Sequence, residues 1–183
     1  MRIVSVALLV LLLPAALLAA PNMGIYFPQN RMSYSPMPYE EFTGWVYANG
    51  MECYMTASEF MIAAPPGIMM TGFEIPPGSL NLGDPMSGVS ITYWPPLNGY
   101  ETCQLLCTVN FVAMNWCWNY GGPHGILADA PMRVVPHPDT GLIAVTCWPE
   151  NQMVGLIGMT STICPTQIGV HETSWGGIKA LYK

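Results

Sequence analysis

The chain has few charged side chains. Asp, Glu, Lys and Arg make up 9% of its 183 residues, whereas they make up about 25% of an ordinary soluble domain. Only five residues are Lys or Arg, and the formal net charge is −6. Nucleic-acid binding requires basic patches that neutralise phosphates. The composition therefore predicts no nucleic-acid partner.

The familiar signatures of catalysis and metal binding are also missing. The sequence has no Gly-x-Ser-x-Gly elbow, no P-loop and no HExxH helix. Its three histidines, His124, His137 and His171, are scattered, and their spacing does not favour a zinc site. The acidic residues never cluster as a calcium loop requires. We expect no catalytic residue, no metal ligand and no cofactor, and we do not expect an enzyme.

One triplet matches a catalytic motif. Residues 139–141 read Asp-Thr-Gly, as in aspartic proteases, where two aspartates share a proton. In those proteases an apolar strand leads into the aspartate, but here the triplet follows Pro-His-Pro. Pro, Asp and Gly in this order are typical of a turn. We therefore predict a hairpin turn, with residues 132–135 and 141–147 as its two arms.

Only the first residues form a long apolar run. Met1-Arg2 is a short basic start, residues 3–18 are almost entirely apolar, and Ala19-Ala20 offers small residues for cleavage. This order predicts a secretory signal peptide at residues 1–20. The alternative is a retained anchor, but the run is shorter than the stretch of about 20 residues that spans a bilayer. We expect a chain that is secreted, extracellular or on the cell surface, with no membrane span after signal removal.

Six cysteines follow the signal. An even number in an exported chain favours disulfides, so all six are disulfide candidates: Cys53, Cys103, Cys107, Cys117, Cys147 and Cys164. Within one strand, Cys103 and Cys107 would share a face about 13 Å apart, too far to bond to each other unless a bulge or turn intervenes. Cys117 is predicted to pair with Cys147, since each ends a candidate strand.

Short runs rich in Val, Ile, Tyr, Trp and Thr alternate with Gly and Pro, of which there are 18 each. Besides the two hairpin arms, the runs are residues 42–49, 54–64, 68–75, 88–94, 105–114 and 153–158. Short strands separated by turns predict an all-β fold, a single β-sandwich over residues 21–170.

The tail at residues 171–183 has a different pattern. Trp175, Ile178 and Leu181 recur at helical spacing, so we predict a short helical or extended tail. Three roles remain open for it: closing its own sandwich, contacting another subunit, or serving as an export or attachment signal.

The low charge and the 51% hydrophobic content favour burial against another molecule. We predict a secreted, non-catalytic structural protein that self-assembles into an extracellular filament or surface layer, with copies of itself or another cell-surface protein as partner. Two segments are the predicted assembly contacts. The N-terminal segment, with Ile25, Tyr26 and Phe27, could lend a strand to a neighbour. The tail would contribute Trp175, Ile178 and Leu181.

The alternative is a monomeric extracellular module that binds carbohydrate or another ligand. Such modules use exposed aromatic platforms, and residues 115–120 are the densest aromatic patch in the sequence. The candidate ligand aromatics are Trp116, Trp118 and Tyr120.

Residues 23–27, 56–62, 139–147 and 172–183 resemble segments of a class of secreted bacterial β-rich proteins. These proteins have a signal peptide, scattered cysteines and a tail of the form Ser-Trp-Gly-x-Ile-Lys-x-Leu-Tyr followed by a basic residue. The resemblance implies export but no activity and no functional residue. The strand pattern is also similar to immunoglobulin-like and cohesin-like sandwiches, which implies binding or assembly rather than catalysis.

Overall fold

The computed structural model describes residues 20–28, 31–115, 117–118 and 125–165. The tail at 171–183 and nearly all of the predicted signal peptide lie outside them. The described residues form fifteen strands: β1 (Asn22–Tyr26), β2 (Ser33–Tyr34), β3 (Glu41–Asn49), β4 (Tyr54–Ala63), β5 (Ile68–Glu74), β6 (Leu80–Asp84), β7 (Gly88–Asn98), β8 (Cys103–Ala113), β9 (Cys117–Trp118), β10 (Ile126–Leu127), β11 (Ala130–Val135), β12 (Ala144–Trp148), β13 (Gln152–Gly155), β14 (Ile157–Gly158) and β15 (Thr160–Ile163). Within these ranges, no helix has the length and apolar character that a membrane crossing needs.

The strands form two main sheets. Sheet 1 has the order β14-β1-β3-β8-β5, and β9 and β10 form a separate short pair. In sheet 2, β4 pairs with β7 along one edge, and β6 follows β7. Along its other edge β4 pairs with β12 and β11. β13 pairs with β12, β15 pairs with β11, and β2 pairs with β15. Buried side chains from both sheets form one core, so the predicted all-β sandwich is confirmed.

Alternation along the strands decides which side chains enter this core. In β3, Phe42, Gly44, Val46 and Ala48 are buried, and the residues between them are partly or fully exposed. The ring of Phe42 stacks on Phe111 of β8, with centroids 5.5 Å apart. A Cβ atom at Gly44 would lie 3.1 Å from the Phe111 ring. Glycine at this position therefore leaves room for the ring.

The segment that was expected to lend a strand to a neighbour lies within its own sheet. β1 pairs antiparallel with β3 and parallel with β14, so both of its edges are hydrogen-bonded. Ile25 and Phe27 are 0% exposed, while Tyr26 lies edge-to-face with Tyr47 on the outer side of sheet 1. Ile25 and Phe27 are thus core residues of their own domain in this structure, not free assembly contacts.

The two segments predicted as hairpin arms lie end to end. β11 pairs with residues 61–63 of β4, and β12 pairs with residues 54–59 of the same strand. Both are antiparallel to β4, so they run in the same direction. The residues between them leave the sheet and return through a turn that contains Asp-Thr-Gly. The turn is present, but the predicted hairpin is wrong because both arms bind the same edge of β4.

The last described strands pass from one sheet to the other. β14 pairs with β1 in sheet 1, and β15 pairs with β11 in sheet 2. Between them, the backbone N–H of Met159 donates to the Met23 carbonyl at 2.8 Å, and its carbonyl accepts from the Val134 N–H at 3.2 Å. This crossing closes one side of the sandwich.

A bulge in β8 separates Cys103 from Cys107. Leu106 has no partner in the ladder to β3, where the register shifts. The extra residue resets the alternation of the strand, so Cys103 is exposed and Cys107 is buried. The prediction that the two cysteines share a face is therefore wrong.

Two disulfides join distant parts of the chain. Cys53 bonds to Cys147, and Cys117 bonds to Cys164, with S–S distances of 2.02 and 2.03 Å. The predicted pairing of Cys117 with Cys147 is wrong. The register of β12 on β4 pairs Cys147 with Met55, which brings it beside Cys53.

Cys103 and Cys107 are free thiols, and their reactivity should differ. Burial raises the pKa of the Cys107 thiol to about 12, so almost no reactive thiolate forms there at neutral pH. We expect iodoacetamide to modify one cysteine in the native protein and two after denaturation without reductant, as measured by intact mass. A denatured, unreduced chain that takes up none, or six, would contradict this cysteine assignment.

Candidate functional site

The outer face of sheet 2 carries large apolar side chains exposed to solvent. Six of them are between 44% and 78% exposed. They are Tyr54 on β4, Leu80 and Leu82 on β6, Trp94 on β7, Trp148 on β12 and Met153 on β13. We call these six residues the apolar face. Contiguous exposed apolar surface usually marks an interaction site.

Strand register gathers these side chains on one surface. Leu80 pairs with Thr92 of β7, and Thr92 pairs with Ala57 of β4. Ala57 in turn pairs with Thr146 of β12, which pairs with Met153. Small and hydroxyl side chains therefore lie between the leucines and the methionine. Between Leu80 and Met153, this row of paired residues therefore carries only short, uncharged side chains.

One end of the apolar face is a cleft with aromatic walls. It has a volume of about 460 Å³ and is lined by Tyr54, Thr56, Trp94, Pro96 and Trp148. The Tyr54 and Trp148 rings meet edge-to-face, with centroids 6.4 Å apart. The Thr56 hydroxyl donates to the Thr146 carbonyl at 3.2 Å. The cleft thus offers mainly ring surfaces, and the Thr56 hydroxyl is already engaged by the backbone.

An irregularity in β7 builds this cleft. Met55 pairs with Leu97 and Ala57 pairs with Thr92, so four residues of β7 stand opposite Thr56 alone. Those four are residues 93–96, and they include Trp94 and two prolines. Because they have no ladder partners, the missing N–H groups of the prolines cost nothing there. The predicted run ended at residue 94, but β7 continues to Asn98.

Three glutamates lie close along the chain to aromatic residues at this end of sheet 2. Glu52 precedes Tyr54 by two residues, Glu101 follows Tyr100, and Glu150 follows Trp148 by two. All three glutamates are exposed. Tyr100 packs edge-to-face on Tyr54, with centroids 5.4 Å apart. The two described arginines lie elsewhere, since Arg133 pairs with Ala63 at the far end of β4 and Arg31 bridges to Phe27.

The residues predicted as a ligand platform are not those that form this cleft. Trp116 and Tyr120 lie outside the described residues, and Trp118 is described only as part of the backbone pairing of β9 with β10. The tail contacts Trp175, Ile178 and Leu181 also lie outside. Among the histidines, only His137 is described. It is buried, and its Nδ1 accepts from the Asp139 N–H at 3.2 Å.

In the described part of the chain, no group of three His, Cys, Asp or Glu residues is placed to hold a metal ion.

A smaller cavity of about 210 Å³ lies on the outer side of sheet 1, lined by Tyr26, Tyr47, Asn49 and Cys103. Burial raises the pKa of Tyr47 there, and the nearby Cys103 adds to the effect.

No family model and no curated protein matches the sequence. Solved structures do match. One is a non-cellulosomal cohesin from the hyperthermophilic archaeon Archaeoglobus fulgidus, with 11% identity, 85% of this chain and 99% of that chain covered, and a TM-score of 0.51. Another is the sixth cohesin of scaffoldin B from Acetivibrio cellulolyticus in complex with a dockerin, with 9% identity, coverage of 80% and 99%, and a TM-score of 0.50. The third ScaB cohesin of R. flavefaciens, in complex with a group 1 dockerin, has 10% identity, coverage of 78% and 93%, and a TM-score of 0.50. The fold is therefore a cohesin-like β-sandwich.

A signal for the apolar face was present in the sequence. Val89, Ile91 and Tyr93 alternate as core residues, which places Ser90, Thr92 and Trp94 on the opposite side of the strand. The exposed strand β6 gave no such signal, because Leu80 and Leu82 look like core leucines.

The exposed leucines should contribute little to folding. We expect Leu82→Ser to change the free energy of unfolding by less than about 0.5 kcal/mol, because the side chain is 78% exposed. Ile91→Ala, on the partner strand but fully buried, should cost about 2–5 kcal/mol. Urea unfolding followed by fluorescence measures both, and equal losses would show that Leu82 is a core residue.

Proposed function

We propose that this chain is a secreted, non-catalytic structural protein that associates with other proteins through the apolar face, copies of itself being the first partner. The observation that supports this is the exposure of six large apolar side chains on one sheet face. Each Å² of such surface removed from water contributes about 25 cal/mol. An extracellular filament or surface layer is the assembly that we infer.

The similarity to cohesins supports a binding role. Two of the similar cohesins were solved in complexes with dockerins, so a sandwich of this kind can hold a second protein. Another cell-surface protein is therefore the alternative partner. Two disulfides in the described chain are typical of exported proteins and support an extracellular location.

Self-association should depend on the apolar face. We expect sedimentation velocity of the exported chain to show oligomers that grow with concentration, and Leu80→Ser with Leu82→Ser to shift them toward monomer. Leu127→Ser is the matched control, because Leu127 is 60% exposed but lies on β10, outside sheet 2. A wild-type chain that stays monomeric at every concentration, with no polymer by electron microscopy, would sink the proposal.

The aromatic cleft favours a second candidate, a monomeric carbohydrate-binding module. Tyr54, Trp94 and Trp148 present exposed ring surfaces around one cleft, and rings of this kind combine an apolar body with a polar tip. Sugar rings, which have an apolar face and hydroxyl edges, suit such walls.

A glycan array tests this second candidate. We expect a monomeric chain to give glycan signals that Trp94→Ala abolishes and Trp94→Phe largely retains, because phenylalanine keeps a ring face. A blank array, or signals that are indifferent to Trp94→Ala, would rule out the cleft as a carbohydrate site.

A further inference from the structure

We propose that the aromatic cleft receives residues 171–183 of a second copy, so that copies join head to tail. This inference rests on the self-association proposed above and names the segment that binds. It follows from the charge, the side chains and the position of the cleft.

Charge is the first argument. Lys179 and Lys183 are the only lysines in the sequence, and both lie in this segment. Glu52, Glu101 and Glu150 are exposed and lie within two residues of Tyr54, Tyr100 and Trp148 along the chain, whereas the described arginines lie elsewhere. Aromatic faces attract ammonium groups, contributing about 0.5–2 kcal/mol, and neighbouring carboxylates add long-range attraction. The segment thus carries the lysines that an acidic, aromatic site favours.

The apolar side chains of the segment fit the same site. Trp175, Ile178 and Leu181 recur every three residues, with Lys179 next to Ile178 and Lys183 two residues after Leu181. The cleft, of about 460 Å³, is lined in part by Trp94, and Leu80 of β6 pairs with Thr92, two residues before Trp94. One large side chain can enter the cleft while its neighbours lie along the apolar face. Apolar anchors at this spacing are typical of amphipathic peptides that dock in grooves.

The geometry favours a second copy over the same molecule. The described chain leaves the sandwich after Cys164, next to Asp129, whose N–H donates to the Cys164 carbonyl at 2.9 Å. Along β4 the cleft begins at Tyr54, whereas Ala63 marks the opposite end, about 30 Å away. β11 continues beyond Ala63 to the exit point. Pro165, the last described residue before the segment, therefore lies toward the end of the sandwich opposite to the cleft.

This arrangement makes the interface heterologous. The described chain ends toward one end of each copy and the cleft lies at the other end. A copy whose cleft is filled therefore keeps its own segment available, and a copy whose segment is bound keeps an open cleft. Interfaces of this type propagate as open chains unless a rotation closes them. A linear filament follows without any additional contact.

Two defective variants test the proposal when mixed. Lys179→Glu with Lys183→Glu removes the lysines, and Trp94→Ala with Trp148→Ala removes the rings. We expect each variant alone to raise the dissociation constant of self-association at least about tenfold, as measured by sedimentation velocity. An equimolar mixture should form a 1:1 dimer and nothing longer, because one intact segment meets one intact cleft.

Conservative variants serve as matched controls. Lys179→Arg with Lys183→Arg keeps the charge, and Trp94→Phe with Trp148→Phe keeps the rings, so both should assemble. Charge exchange provides a rescue. We expect Glu101→Lys with Glu150→Lys, introduced into the same chain as Lys179→Glu and Lys183→Glu, to restore assembly. A synthetic peptide of residues 171–183 should dissociate wild-type oligomers.

The outcomes separate this inference from the proposed function. Suppose that the wild type assembles. If the Lys→Glu chain then assembles equally well, or if the mixture of the two variants stays monomeric, the segment is not the ligand of the cleft. Another surface of the second copy would then contact the apolar face. A monomeric wild type whose segment is shielded from protease by its own cleft would also overturn the inference. A wild type that never associates would overturn the proposed function itself.

Discussion

The pairing of β4 on both of its edges is the constraint on which the rest of this structure depends. One edge binds β7, and the other binds β12 and then β11. The strand holds β7 through a buried contact as well, since the hydroxyls of Ser58 and Tyr93 lie 2.5 Å apart. Burial raises the pKa of Tyr93, so its hydroxyl stays protonated. Tyr54 is thereby fixed at the end of a strand that has a partner on each edge.

The aromatic cleft follows from this constraint. Its walls come from three strands, β4, β7 and β12, which meet only because β4 is central. The Cys53–Cys147 disulfide ties the start of β4 to the end of β12, next to Tyr54 and Trp148. A site held by paired strands and a covalent bond is already ordered before a ligand arrives, and this lowers the entropic cost of binding.

Much of the fold could be predicted from local patterns, whereas the candidate site could not. The alternation in β3, β4 and β7 identified strands and the all-β class. The irregularities at Leu106 of β8 and at residues 93–96 of β7 could not be located, because a bulge depends on the partner strand rather than on its own sequence. The end-to-end placement of β11 and β12 and the partner of Cys147 escaped for the same reason. Each is set by long-range pairing, which spacing along the chain does not encode.

The crossing of the last strands has a mechanical consequence. β14 lies alongside β1, β15 lies alongside β2 and β11, and the Cys117–Cys164 bond secures the point where the described chain leaves the sandwich. A force that pulls on Pro165 along these strands would load several backbone hydrogen bonds in shear at the same time, rather than peel them one by one. Because β14 belongs to sheet 1 and β15 belongs to sheet 2, the same force would act on both sheets of the sandwich together.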